Sequence, residues 1–169
     1  MNKYDHIKFL IERFDHYYDT INSKGAFYIS LNSTIFGGIC VGYTSLYTKM
    51  NYSLWVWILL ITLLIFCFLS IAFTIIAIRP YTKDNHVNDD YHSLIFFGGI
   101  AKHEANNFIQ KYIAQTDERI NEDMYRQAHC LAKGLEYKFH NLKIASNMII
   151  IQFSIMLPFF ILIIKNLKP

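Results

Sequence analysis

LWVWILLITLLIFCFLSIAFTIIAI, residues 54–78, holds no charge, no Gly and no Pro across 25 positions, and 17 of them are Leu, Ile, Val or Phe. As an α-helix rising 1.5 Å per residue the stretch reaches about 37 Å, more than the ~30 Å hydrocarbon core of a bilayer. On insertion scales its Leu, Ile, Val and Phe side chains together favour lipid by about 5–10 kcal/mol. Buried helices of soluble cores rarely run this long with nothing more polar than Thr or Ser. The segment therefore reads as a membrane span.

Two further uncharged runs flank it. Ala26 to Leu46 is weaker, with eight Leu, Ile, Val or Phe residues interrupted by Ser30, Asn32, Ser33, Thr34, Gly37, Gly38, Gly42, Thr44 and Ser45. Its small residues Ser30, Thr34, Gly38, Gly42 and Ser45 share one helical face, and Gly38 to Gly42 is a G-x-x-x-G, a spacing that lets another helix of this chain or of a second copy approach closely. Ile144 to Ile164 has 13 Leu, Ile or Phe in 21 residues. Only residues 47–53 separate the first two runs, so they form a hairpin, with Tyr47, Tyr52, Trp55 and Trp57 placed for an interfacial aromatic belt. A chain that is 53% hydrophobic over 169 residues fits this plan. A net charge of +3 is too small to indicate a nucleic acid polymer as partner, and Cys40, Cys67 and Cys130 form no C-x-x-C pair.

Three spans put the N-terminus and residues 79–143 on one side, the hairpin turn and the tail 165–169 on the other. The first side carries 13 of the 16 Lys and Arg, all 13 acidic residues and all seven histidines. The positive-inside rule makes that side cytoplasmic and the tail periplasmic, in a multi-pass protein of the inner membrane. Asn32 lies eight residues beyond Lys24 and Gln152 nine beyond Lys143. They reach similar depths of about 12–13 Å, so the first and third spans are expected to be neighbours with these two amides hydrogen-bonded.

The polar regions read as helices. Over 1–25, Ile7, Leu10, Phe14, Tyr17 or Tyr18 and Ile21 recur at three- and four-residue steps, an amphipathic helix that continues into the first span. Residues 81–90 form a polar linker, and 92–100 a short extended piece or loop. Ala105, Phe108, Ile109, Tyr112 and Ile113 mark one face of a helix over 101–114. A second helix is expected to start near Asn121, where Glu122 and Asp123 suit the positive end of the helix dipole. Its seam of Met124, Ala128, Leu131, Leu135, Phe139 and Leu142 leads without a break into the third span, one helix of about 45 residues in all. The expected fold is an all-α membrane protein: three transmembrane helices (26–46, 54–78 and 144–164) with long helical extensions forming a cytosolic helical bundle, whose 79–143 portion is a sensor region.

Several short motifs then stand out. These are S-K-G-A at Ser23 to Ala26 with Asn32 six residues on, R-P closing the second span at Arg79 and Pro80, S-L-I-F-F-G-G-I-A-K at Ser93 to Lys102, E-D-M-Y-R-Q-A-H-C-L-A-K at Glu122 to Lys133, and L-E-Y-K-F at Leu135 to Phe139. In motifs, size and element order the chain resembles PycTM, the transmembrane effectors of the bacterial Pycsar antiphage system. S-K-G-A departs from the family pattern, which would have Asp before the Lys and Ala after it, and Gly25 is expected to loosen the helix there. The resemblance implies a partner pyrimidine cyclase that makes cyclic CMP or cyclic UMP on infection, and an effector that answers by impairing the inner membrane and halting the infected cell.

A cyclic nucleotide offers one negative charge and a flat base, and its site needs Arg, Lys or a helix N-terminus with an aromatic or amide edge. Candidates for the phosphate are Lys102, Arg119, Arg126 and Lys138, and for stacking Phe96, Phe97, Tyr125 and Tyr137. Binding between subunits of a homo-oligomer is one arrangement. Enzyme chemistry is not expected: His103-Glu104 lacks the second His of H-E-x-x-H, and His86, His92 and His103 have no metal spacing. The His129-Cys130 pair lies beside an apolar helical seam, and G-x-S-x-G does not occur. No cofactor or metal is implied. The competing readings are a constitutive inner-membrane scaffold whose cytosolic bundle binds another protein, and a small transporter, which the absence of ionisable residues in the spans weakens.

Overall fold

The computed structural model describes residues 3–46, 48–49, 53–80 and 93–167. The linker 81–90, His92 and the belt residues Tyr47 and Tyr52 lie outside them. Five helices follow in order: α1 (Lys3–Leu46), α2 (Leu54–Ile78), α3 (Phe97–Ile100), α4 (Ala105–Ile113) and α5 (Asp117–Asn166). The fold is all-α, and α1, α2 and α5 are long and apolar enough to cross a membrane. α1 and α5 are each continuous, as the sequence led one to expect. α5 begins four residues before Asn121, because Asp117 and Glu118 already supply the first-turn carboxyls and Ile120 N closes on Thr116 O at 3.1 Å. It also continues through Pro158, a break in backbone bonding that membrane helices tolerate.

Residue contacts divide the chain into two units, Met1–Thr20 with Pro80–Tyr137, and Ile21–Arg79 with Lys138–Pro169. The second is a three-helix bundle. α2 buries Val56, Leu60, Leu63, Cys67, Ser70, Thr74 and Ala77, alternating steps of four and three residues. That 3.5-residue period is the signature of helices packed at small left-handed angles with interdigitating side chains. α5 answers with Lys138, Leu142, Ala145, Ile149, Gln152 and Phe159, and α1 with Ile21, Gly25, Asn32 and Ile35, on the same steps. α2 runs antiparallel to the other two: Asn32 bonds Ser70, Ser70 Oγ donates to Ala145 O at 3.2 Å, and the Tyr43 and Trp57 rings meet edge-on at 5.8 Å. Toward Leu46 the core is apolar, with Val56, Leu60, Leu63 and Phe159 at its centre. In lipid such side chains gain no release from water by packing, so close fit and hydrogen bonds hold the helices.

Gly25 shows what close fit means here. α1 passes through it without interruption, so it does not loosen the helix. A β-carbon at this position would collide with Ile78 Cγ2, and the missing side chain is what lets α1 and α2 approach. Lys138, not Phe139, occupies the α5 seam. Phe139 is 39% exposed, whereas Lys138 is only 3% exposed and its ammonium donates to Ala77 O and Arg79 O, both at 2.7 Å. The carbonyls at the end of α2 have no intrahelical partner, which makes a lysine there more useful than an aromatic ring. Burial pushes the Lys138 ammonium below the usual lysine range.

In the first unit α1 and α5 pack through Ile7, Met124 and Ala128, flanked by Leu10, Ile11, Phe14 and Ile120, and Tyr18 Oη donates to Leu131 O at 3.1 Å. The apolar face of α4 does not join this core. α4 buries none of its residues, Ile113 is 78% exposed, and the Phe108 and Tyr112 rings pair with each other at 5.7 Å. Nine residues bounded by the turns at His103 and Ala114 are too short to carry that face onto the long helices, and it stays open.

Candidate functional site

Residues 93–103 form a compact hook. Ser93 Oγ accepts from Ile95 N at 3.2 Å and Phe96 N at 3.0 Å, closing the first turn, and Ile100 N and Ala101 N then bond back to Phe96 O and Phe97 O. The double glycine has a steric reason. A β-carbon at Gly99 would strike the Ser93 carbonyl, and one at Gly98 would lie 2.7 Å from the Phe96 ring. A bond from Leu94 N to Asp123 Oδ2 at 2.9 Å ties the hook to α5. Asp123 is almost fully buried, as are Ser93 and Leu94. That bond joins two of the motifs read from the sequence, S-L-I-F-F-G-G-I-A-K and E-D-M-Y-R, in one place.

The candidate ligand residues fall around this junction or along α5. Phe96 is half-buried and stacks obliquely on Phe97 at 4.6 Å, while Phe97 is 69% exposed. Tyr125, two residues beyond Asp123, is also exposed. Arg126 is exposed and engages Glu122 one turn earlier, with Nη2–Oε1 at 2.6 Å and Nε–Oε1 at 3.1 Å. Arg119, Arg126 and Tyr137 sit 7 and 11 positions apart on one helix, which sets them on a shared face together with Lys133. Lys102 is exposed at the end of the hook. Lys138 belongs to the other unit, where its ammonium caps α2. Asp123 and Ser93 were not among the residues singled out from sequence. An acidic residue directly beside the seam position Met124 was the available signal, and it was read as a dipole partner only.

In the membrane bundle Asn32 and Gln152 both sit in the seam with no exposed surface. They do not bond each other. Asn32 Nδ2 donates to Ser70 Oγ at 3.0 Å and to Tyr28 O at 2.8 Å, because the hydroxyl of α2 intervenes at the level where the two amides were expected to meet. Among the described residues Asn32 Oδ1 has no hydrogen-bond partner, and the Gln152 amide meets only the Cys67 thiol, a weak partner. Gly38 and Gly42 pack against no neighbour in this chain: a β-carbon on either would meet nothing within 4 Å among the described residues. They border an apolar groove of about 380 Å³ with Thr34, Trp57, Met156 and Phe160.

Among the described residues no group of three or more His, Cys, Asp or Glu could hold a metal ion. Compared with known families, residues 6–165 match the Pycsar effector protein domain, PycTM. The chain belongs to the PycTM family. PycTM proteins are antiphage effectors that respond to a cyclic nucleotide, so this chain is such an effector, and it has three candidate membrane helices. No curated protein and no solved structure matches the chain.

Proposed function

We propose that this PycTM protein is activated by cyclic CMP or cyclic UMP, made by a cognate pyrimidine cyclase, and then impairs the inner membrane so that the infected cell stops supporting phage. It acts without enzymatic chemistry, as a membrane disruptor. Its N-terminus and residues 79–143 face the cytoplasm, where the nucleotide is made, and the tail faces the periplasm, in line with the bias of Lys and Arg.

The observation that carries the ligand site is the Leu94–Asp123 bond. It holds the exposed ring of Phe97 and the hook on the same stretch of α5 that presents Tyr125 and Arg126. An aromatic face for a base and a guanidinium for a phosphate are what a cyclic nucleotide requires, and a bidentate Arg suits the phosphate best. Arg119, Lys102 and Tyr137 complete the proposed set, and binding asks Arg126 to exchange Glu122 for phosphate. Copies of the chain associate through the uncovered Gly38 and Gly42 face, where bare backbone permits close helix approach.

Calorimetric titration of the purified protein with cyclic CMP and cyclic UMP tests this. Heat is expected with at least one of them, weakened at least tenfold by Arg126→Ala, and none with cyclic AMP. Uniform silence would leave the scaffold reading, which the open face of Ile109, Tyr112 and Ile113 on α4 supports, and a protein partner shielding those residues would establish it.

A further inference from the structure

The layer at Gln152 is the least satisfied place in the membrane bundle. Hydroxyls elsewhere in the spans bond back to their own helices, as Thr34 does to Ser30 O, Thr62 to Ile58 O and Ser154 to Ile150 O. At this layer the Asn32 amide, the Ser70 hydroxyl and the Cys67 thiol use one another and the carbonyls of Asn32 and Ala145; Asn32 Oδ1 is left unmatched among the described residues, and the Gln152 amide has nothing stronger beside it than the Cys67 thiol, a weak partner. No lipid-facing water can reach them, because Asn32, Ser70 and Gln152 are all wholly enclosed. An unmatched amide enclosed at membrane depth penalises the arrangement that encloses it. The neighbouring α5 seam residues, Ala145, Ile149 and Phe159, are apolar, so an aliphatic side chain at 152 would complete a tight and permanent seam. A polar residue in a heptad seam instead lowers the stability of one packing relative to its alternatives.

We infer that the Asn32–Ser70–Gln152 layer is the switch of the membrane segment: in the active state α5 separates from α1 and α2 at this level, and water enters and completes the hydrogen bonds of the two amides. The closed bundle is thereby held close in free energy to an open, hydrated one, and a modest ligand preference suffices to shift the balance. Below the layer, the apolar cluster of Leu63, Leu60, Val56 and Phe159 keeps the closed form dry. The inference rests on the membrane-disruptor reading for its consequence, though not for its energetics.

The test uses the full-length protein with Gln152→Met, which keeps the volume and removes both amide atoms, and Gln152→Glu, which strengthens the demand for water. In detergent, Gln152→Met is expected to raise the midpoint of thermal unfolding by about 2–4 °C. In dye-loaded liposomes at saturating nucleotide it is expected to reduce leakage at least tenfold and, by linkage, to weaken nucleotide affinity, and Gln152→Glu is expected to leak without nucleotide. Deuterium uptake at residues 149–156 should rise with nucleotide in the wild type and not in Gln152→Met. A Gln152→Met protein that unfolds at lower temperature than the wild type overturns the inference, as does one that leaks like it. If the wild type shows neither heat nor leakage, the effector reading fails while the thermal comparison still decides the layer.

Discussion

Asp123→Ala is expected to weaken nucleotide binding at least tenfold and, with it, damage to the membrane. The carboxyl oxygen that accepts from Leu94 N ties the hook to α5, and both residues are buried. Removing it forfeits a bond of about 1–3 kcal/mol and leaves the Leu94 N–H enclosed without an acceptor. The hook, which carries Phe97, would then be free to leave α5. Calorimetry should show at least a tenfold weaker affinity than the wild type. Asp123→Asn keeps a carbonyl acceptor in the same place and should fall between the two. An Asp123→Ala protein that binds nucleotide as the wild type does would show that the hook takes no part in the site.

Gly25→Val carries the largest expected loss of stability. Its β-carbon would overlap Ile78 Cγ2 and lie 3.5 Å from Thr74 Cγ2, and both neighbours are β-branched, with little rotamer freedom to yield. Overpacking of this kind costs about 1–3 kcal/mol, a fall of about 2–4 °C in the unfolding midpoint for each kcal/mol. The double variant Gly25→Val with Ile78→Ala should recover most of the loss, because the clash is with that one side chain. Equal loss in the single and double variants would place the effect in α1 itself.

The spans were legible because apolar length is a property of sequence alone, and Leu54 to Ile78 needs no neighbour to be recognised. The amphipathic faces of α1 and α5 were legible for a similar reason, since Ile7, Met124 and Ala128 repeat at helical steps. What sequence could not convey was which group answers a polar residue. Phe139 looked like the seam residue until the open carbonyls at the end of α2 were seen to draw Lys138 inward. Asn32 and Gln152 were placed at a common depth, yet Ser70, on a different helix, took the Asn32 amide. Gly25 looked like a weakness in α1, and it is a point of close approach to α2. The α4 face looked like core by periodicity, although periodicity says only that a face exists and not that anything covers it. At the candidate site, the aromatic and basic residues could be named from the chemistry of the ligand, while Asp123 could not, because its role is to hold a backbone N–H 29 residues away.

The central claim is that a cyclic pyrimidine nucleotide turns this bundle from a sealed to a leaking state. The direct measurement is release of a trapped dye from liposomes carrying the wild-type protein, with cyclic CMP, cyclic UMP or cyclic AMP added. Release is predicted with cyclic CMP or cyclic UMP and not with cyclic AMP or buffer. Release that is the same with and without nucleotide, or absent with every nucleotide that the protein binds, would contradict it.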